Sequence, residues 1–458
     1  MKVTAGFIEK YNVSGPRYTS YPPANFFSDT YTPENYIKDL KRSNKQEPRN
    51  ISLYIHIPFC KQICNFCGCF SEKIRDKEQT DRYMQALIAE AGMISGSLDK
   101  DRYVSQIHWG GGTPNAIPLS DIEKTMNFFR KNFRFTDNCE TAIECNPAWL
   151  DHEDIRKLAL TGFNRISLGI QDLNTQVLEA VNRKPSKIPV NELVDTIRKA
   201  GFLSCNIDLI YGLPGQNTNN FLETIKKIIS LSPDRLVTFS YAHVPWIKKH
   251  QHDISIEELP SPGEKLTMFI RSFEMLNNNG YVSIGLDHYA KPGDELAIAL
   301  KNKTLHRNFQ GYCTRETTGQ VYALGASGIS QLYDAYAQNT KNIQKYIKEI
   351  MAGRLATERG YSLSEEEIIV RTVITELMCN CRLDMNSIAD QFHITVDKLK
   401  SILQFSDERI SVFREDKLLE YQNNIISVNE KGRLVIRNIA MAFDPALATG
   451  DQVYSKTV

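Results

Sequence analysis

From residue 51 onward the apolar positions follow two alternating rhythms. Short runs rich in β-branched residues, "ISLYIHI", "VSQIHW", "TAIEC", "RISLGIQ", "SCNIDLIY" and "RLVTFS", read as strands. Between them lie longer stretches with the three-to-four-residue spacing of amphipathic helices. In "TDRYMQALIAEAGMI" that spacing puts Tyr83, Leu87, Ala91 and Ile94 on one face. "LSDIEKTMNFFRKNF" opens with Ser120 and Glu123 at capping-box spacing. "DHEDIRKLALTG", residues 175–200, "NNFLETIKKIISL" and "SPGEKLTMFIRSFEML" supply further helices, and "VSIGLDHY" supplies a last strand. Roughly six strand–helix units in succession predict a parallel sheet with outer helices, an α/β fold of the partial (β/α)6, TIM-like barrel kind. In such a barrel the loops after the strand C-termini build the active site. Every unusual motif of this chain falls in one of those loops.

The rhythm is absent from both flanks of this region. Residues 1–50, with "SGPRYTSYPPANFF", lack helical or strand periodicity and read as an irregular arm, either a surface wrap or a lid. The barrel is expected over 51–290. Residues 291–360, with "LHRNFQGYCT" and "ALGASGIS", read as a connecting segment packed on it. Residues 361–458 read as a small α-rich domain resembling a winged helix, with a hairpin near "EYQNNIISV". Its mixed charges favour a covering role over DNA binding.

Composition narrows the class. The 458 residues are 41% apolar and 24% charged, with a net charge of +1, as in ordinary globular enzymes. Nothing in that balance points to nucleic acid. The N-terminus has no apolar core of a secretory signal, and no apolar run approaches the roughly 18 residues that span a bilayer. A reducing cytoplasm is the expected location, where clustered cysteines bind metal or do redox chemistry more often than they form disulfides.

That expectation bears on "YIHIPFCKQICNFCGCF", which carries Cys60, Cys64, Cys67 and Cys69. Structural zinc usually takes two separated pairs of ligands, and no second pair stands at such spacing. "CNC" at 379–381 is distant and reads as helix. Soft thiolates on one short loop suit an iron–sulfur cluster. Cys60, Cys64 and Cys67, spaced x3 and x2, can hold three irons of a cubane and leave the fourth open. Cys69 could be a fourth ligand, but its turn with Cys67 is tight and its ligation would close the open iron. It is assigned a non-ligand role.

The C-x3-C-x2-C loop after the first strand resembles the hallmark of the radical S-adenosylmethionine superfamily. Within it the chain resembles the oxygen-independent coproporphyrinogen III oxidases, also called dehydrogenases (HemN type). The likeness runs through "SGPRYTSYP", "YIHIPFC", "CNFCGC", "HWGGGTP", "NRISLGIQD", "NIDLIYGLPGQ", "YAHVP", "LHRNFQGY" and "KGRLVIRNIAMAFD". It implies a [4Fe-4S] cluster on Cys60, Cys64 and Cys67 and two bound S-adenosylmethionine molecules. Tyr54, Phe66, Gly111, Gly112, Thr113 and Ile329 match cosubstrate-contacting positions, and Gln171, Arg183, Asp208 and Ala242 match those for the second molecule. Glu144, at a strand end, can meet ribose hydroxyls or an ammonium, or form a plain salt bridge.

The resemblance further implies a reaction. Reductive cleavage of S-adenosylmethionine yields an adenosyl radical, which removes a β-hydrogen from a propionate. CO2 is then lost, one electron passes to an acceptor, and a vinyl group remains. Two rounds convert coproporphyrinogen III to protoporphyrinogen IX. Burying the substrate's carboxylates requires cationic or N–H partners, for which Arg17, His306 and Arg307 are candidates. Tyr18 and Tyr21 could pack on the macrocycle or pin the arm. The implied partners are an unidentified reductant and electron acceptor, with no nucleic acid or membrane, and the chain is expected to be a monomer. Two departures touch substrate contacts: Asn146 and "AWL" replace the family's charged residues, and "GCFSEK" follows the cysteines. A heme chaperone, or an enzyme that opens or methylates heme on the same scaffold, is the alternative.

Overall fold

The computed structural model describes residues 5–448 except 286 and 316, so the ends of the expected arm and C-terminal domain, 1–4 and 449–458, lie outside the described residues. Six strands, β1 (Ile51–Ile57), β2 (Tyr103–Gly111), β3 (Arg134–Cys145), β4 (Arg165–Gln171), β5 (Ser204–Tyr211) and β6 (Arg235–Ser240), are consecutive parallel neighbours. Helices cover their outer face. The helix Lys77–Ser97 buries Tyr83, Leu87, Ala91 and Ile94, the face expected from spacing.

Several expectations need correction. The run "VSIGLDHY" is not one parallel strand. It divides into β7 (Val282–Gly285) and β8 (His288–Ala290), which pair antiparallel, with β8 antiparallel to β6. Gly285 permits this arrangement because a side chain there would collide with the Tyr312 hydroxyl. Segment 291–360 does more than connect. It supplies β9 (Gln320–Leu324), parallel to β1 on its other side, and the antiparallel strands β10 (Ile329–Gln331), β11 (Ala335–Asn339) and β12 (Thr357–Ser362). The sheet therefore has twelve strands in the order β12-β11-β10-β9-β1-β2-β3-β4-β5-β6-β8-β7, with two edges, as in an open barrel.

The Ser120–Glu123 capping box does not form. The helix begins at Leu119 after Pro118, without a side-chain cap, which lets Leu119 and Ile122 reach the core. The arm is not irregular throughout. A helix spans Pro33–Ser43, capped reciprocally by Thr32 and Asn35, and buries Tyr36 and Leu40. Tyr18 and Tyr21 pin the arm: their hydroxyls donate to Asp444 at 2.8 and 3.2 Å.

The C-terminal part has its own apolar core, which Phe7, Tyr11, Tyr18 and Tyr21 of the arm join. Its helix Glu365–Asn380 has a Ser364/Glu367 capping box, and a three-stranded sheet of Arg382–Asp384, Leu419–Gln422 and Ile425–Val428 forms the expected wing. No helix among the described residues is long and apolar enough to cross a membrane.

The inner face of the parallel strands is polar. Gln106, His108, Glu140, Glu144, Arg165, Ser167, Asn206, Asp208 and Arg235 line a cavity of about 170 Å³ inside the sheet. A parallel sheet packed on both faces would be apolar on both, so this face is built for ligands and water rather than core. A hairpin, Leu305–Asn308 with Gly311–Thr314, partly fills the interior, and its residues Asn308 to Cys313 line the same cavity.

Candidate active site

β1 delivers the chain to the C-terminal edge of the sheet, and the cysteine loop begins there. A two-residue parallel pairing of Phe59–Cys60 with Glu72–Lys73 closes the base of that loop. The neighbouring β2 exit is strapped to it: Gly112 N–H donates to Ile57 O at 2.8 Å and Thr113 N–H to Phe59 O at 2.9 Å. Gly112 has no room for a side chain, since a Cβ would lie 2.9 Å from Phe59 O and 3.1 Å from Cys60 Sγ. Gly111 adopts φ +111°, a conformation that favours glycine, and backs onto the His56 ring.

All ten cysteines are free thiols. Cys60 and Cys64 are buried, Cys67 is half-buried and Cys69 is exposed. The Thr113 hydroxyl lies 3.2 Å from Cys60 Sγ, and Arg183 Nη1 donates to Cys64 Sγ at 3.3 Å. Burial pushes the Cys60 and Cys64 thiols up. The Cys69 thiol, donating to Cys67, pulls Cys67 down to about 6, and His250 and Lys248 add to that. Two outside segments hold the loop. Asn65 N–H donates to Val181 O and Gln62 to Asn182 O, both at 2.9 Å. On the other side His250 meets Cys67 O at 2.7 Å, Lys248 donates to Cys69 O at 2.9 Å, and Gln251 to Phe66 O at 3.2 Å. The Phe66 ring packs against a cluster formed by Val177, Val181, Ile210, Leu213, Tyr241 and Ile254.

The donor set fits an iron–sulfur cluster. Three thiols share one loop and are flanked by a hydroxyl and by cationic N–H donors that favour the thiolate form. Among the described residues no three His, Cys, Asp or Glu converge on a single metal ion. A cubane presents its irons at separate corners, so its thiolates need not converge on one point.

The remaining expected positions lie along the same sheet edge or face the interior. Tyr54 stacks on His108, with ring centroids 6.0 Å apart, and its hydroxyl lies 3.1 Å from His56 Nδ1. His108 Nε2–H donates to Glu144 Oε1 at 2.9 Å. Burial opposes the imidazolium, but the Glu144 hydrogen bond and charge outweigh it and raise His108. Asp208 accepts from Ser167 Oγ and Asn206 Nδ2, each at 2.8 Å, and burial with the nearby Glu144 charge pushes its carboxyl up to about 6. Gln171 ends β4 at φ +69°, and its Oε1 has no hydrogen-bond partner among the described residues. A buried acceptor left open at the sheet edge suits a bound polar molecule. Ala242 follows β6, and its carbonyl accepts from Gln251 at 3.3 Å. Ile329 follows the Gly325 turn, which closes on β1 at the His56 carbonyl.

Of the tentative substrate residues, Arg17 and Arg307 both lie within electrostatic reach of Arg437. Arg17 is exposed on the arm, next to Pro16, whose carbonyl accepts from Arg437. His306 and Arg307 lie on the interior hairpin. Burial pushes His306 down to about 4, so at neutral pH it is uncharged and offers an N–H rather than a cation. Sequence reasoning missed His56, His108, Ser167 and Asn206. Their signal was present as polar residues at every second position of otherwise apolar strands. The residues Lys248, His250 and Gln251 lay in "KKHQHD", which carries no periodicity.

Comparison with known proteins agrees with this architecture. The Radical SAM superfamily model matches residues 54–228. The chain is similar to the oxygen-independent coproporphyrinogen III oxidase of Synechocystis sp., with 39% identity covering 100% of this chain and 98% of that protein. It is 40% identical to the Escherichia coli protein of the same name, over 96% of this chain and 94% of the relative. The solved structure of the Escherichia coli coproporphyrinogen III oxidase, described as a radical SAM enzyme, superposes with a TM-score of 0.90 at 38% identity, covering 97% of this chain and 99% of that one. The chain therefore belongs to the oxygen-independent coproporphyrinogen III oxidase family of the radical SAM superfamily.

Proposed function

We propose that this radical SAM oxidoreductase converts coproporphyrinogen III to protoporphyrinogen IX, turning two propionates into vinyl groups in porphyrin and heme biosynthesis. Full-length relatives named for that activity support the reading. The observation that carries it is the cysteine loop: three thiols at x3/x2 spacing at the sheet's C-terminal edge, with Thr113 on Cys60 and Arg183 on Cys64. When bound, the [4Fe-4S] cluster supplies the electron that cleaves S-adenosylmethionine, whose adenosyl group then takes the substrate hydrogen.

Cys60, Cys64 and Cys67 would hold the cluster, and Cys69 would not. Tyr54, Phe66, Gly111, Gly112, Thr113, Glu144 and Ile329 would contact S-adenosylmethionine, and Gln171, Arg183, Asp208 and Ala242 would face the second molecule. With a carboxyl titrating near 6, Asp208 is largely ionised at neutral pH and can accept from ribose hydroxyls. Arg17 and Arg307 supply cationic partners for propionates, and His306 supplies a neutral N–H. The protein orients its ligands and excludes water, and needs no conventional acid–base pair. An unidentified reductant, an electron acceptor, a monomeric state and a cytoplasmic location complete the proposal.

The test is anaerobic. The reconstituted chain receives reductant, S-adenosylmethionine and coproporphyrinogen III, and products are followed by mass spectrometry. The expected result is two successive losses of one CO2 and two hydrogens. S-adenosylmethionine cleavage with both propionates retained, as a heme-modifying enzyme would give, refutes the reading. So does tight heme binding without decarboxylation, the behaviour of a chaperone.

A further inference from the structure

The shoulder of the sheet beside Cys60 and Cys64 carries a cluster of cations that the proposed reaction leaves unused. Trp149 ends the turn Pro147–Trp149, which follows β3. Asn115 Nδ2 donates to the Asn146 and Trp149 carbonyls at 3.1 and 3.3 Å and fixes this turn against the β2 exit. Two ammonium groups lie over the Trp149 ring, Lys61 at 5.2 Å and Lys184 at 5.0 Å from its centroid. They therefore stand no more than about 10 Å apart, close to one Debye length at ordinary ionic strength, and their fields add. Both belong to segments that hold thiols. Lys61 follows Cys60, and Lys184 follows Arg183, which donates to Cys64 Sγ at 3.3 Å. Lys73 is the register partner of Cys60 in the short pairing at the base of the loop.

Lys61, Lys73 and Lys184 are exposed, and none has an ion pair among the described residues. The Asp151 carboxylate, two residues beyond Trp149, is already engaged: it accepts from Lys187 at 2.7 Å and caps the helix His152–Leu160. Trp149 stands in the "AWL" stretch, so the two lysines meet a ring face and not a carboxylate. A ring face orients an ammonium but leaves its charge uncancelled. The chain as a whole is nearly neutral, with a net charge of +1, so this concentration of cations is local. Lys61 also borders a surface groove of about 380 Å³ with Ile74, Ala116 and Pro118, which sets apolar surface beside the charges. A central aromatic framed by unmatched cations suits docking of an acidic protein: the ring gives contact area, and the cations steer and orient the partner. On the opposite flank of the loop the donors are occupied, since Lys248, His250 and Gln251 bond the carbonyls of Cys69, Cys67 and Phe66.

We propose that Lys61, Trp149 and Lys184, with Lys73 at the rim, form the docking surface for a small acidic protein that carries one electron. The electron enters from the side of Cys60 and Cys64. The carrier loses one electron, the group held by the three cysteines gains it, and no atom is transferred. The thiols are buried or half-buried, so a protein reductant has to be held against their loop for its own redox group to come close. The inference rests on the proposed function only for the need of a reductant.

The probe is a plant-type [2Fe-2S] ferredoxin, an acidic carrier of low potential, titrated into the full chain by calorimetry without turnover. Binding should weaken as salt rises. Lys61→Glu/Lys184→Glu should weaken it about tenfold or more, and Trp149→Ala by a similar factor. Lys226→Glu/Lys227→Glu, an equal charge change on the exposed face of the helix Thr218–Leu231, should leave it unchanged. Formation of 5′-deoxyadenosine by the reconstituted chain is the second readout. The Lys61→Glu/Lys184→Glu chain should need about tenfold more ferredoxin for its half-maximal rate and keep the unaltered rate with dithionite, a small reductant that needs no docking surface. Lys61→Gln/Lys184→Gln replaces that pair if the melting curve shows that it does not fold. Equal ferredoxin affinity with and without the two lysines overturns the inference, as does absence of binding to the unaltered chain or an equal loss in Lys226→Glu/Lys227→Glu. Loss of the dithionite-driven rate in the folded lysine variants also overturns it, since the lysines would then be props of the loop. Self-association that these variants abolish would assign the patch to a second copy of this chain and overturn it too. Dithionite-driven 5′-deoxyadenosine without vinyl product refutes the proposed reaction alone, because ferredoxin binding is read without turnover.

Discussion

Gly110 offers a way to disturb the proposed S-adenosylmethionine site without disturbing the fold. A Cβ built there would lie 2.8 Å from Glu144 Oε1, 2.9 Å from Cδ and 3.0 Å from Oε2. Gly110→Ala therefore forces the carboxylate back by about 0.6 Å to reach ordinary contact, and the 2.9 Å bond from His108 is lost. The Glu144 side chain is 42% exposed, so it can swing aside, and the stability cost should stay below about 1 kcal/mol. If Glu144 holds S-adenosylmethionine, the displaced contact is worth about 1.5–3 kcal/mol, or roughly 10- to 150-fold in affinity. Anaerobic titration calorimetry on the reconstituted protein measures this directly. A double-mutant cycle isolates the cause. With Glu144→Ala already present nothing remains for the new methyl to displace, and Gly110→Ala should then be nearly silent. Equal weakening in the presence and absence of Glu144→Ala would refute the argument.

Other consequences can be checked separately. Cys69→Ala should keep the brown chromophore after reconstitution and Cys64→Ala should lose it; matching losses would make Cys69 a ligand. The wholly buried Glu90 accepts from Tyr346 Oη and Asn339 Nδ2, both at 2.6 Å, and from Gly325 N–H at 2.7 Å. Burial pushes its carboxyl from 4.5 up to about 7, so between those values the folded chain holds a proton that the unfolded chain releases. Stability from this group therefore falls as pH rises from about 5 to 7, by up to about 3 kcal/mol. Denaturant midpoints of Glu90→Gln should lack that decline, and parallel pH profiles of the two proteins would rule it out.

Much of the site was legible because cluster chemistry fixes residue type and spacing within one loop. Cys60, Cys64 and Cys67 are local in sequence, and the glycines after β2 mark a close approach. The parallel core was legible for the same local reason, since each strand–helix unit carries its own periodicity. Pairings between distant segments were not legible. The strands β9 to β12 are short, and the Gly-Ala-Ser-Gly turn between β9 and β10 hides their alternation, so their place beside β1 depends on partners elsewhere in the chain. The helix Pro33–Ser43 was announced by Thr32 and Pro33 but lay among turn-forming residues. In sequence His306 stands equally as a cationic or an N–H partner, and only the burial of its hairpin shows that it is neutral.

The central claim is that the adenosyl group removes hydrogen from the β-carbon of a substrate propionate. Coproporphyrinogen III deuterated at those carbons tests it in one anaerobic turnover. The account predicts that the 5′-deoxyadenosine recovered carries deuterium, together with vinyl product. Unlabelled 5′-deoxyadenosine formed alongside that product would contradict it.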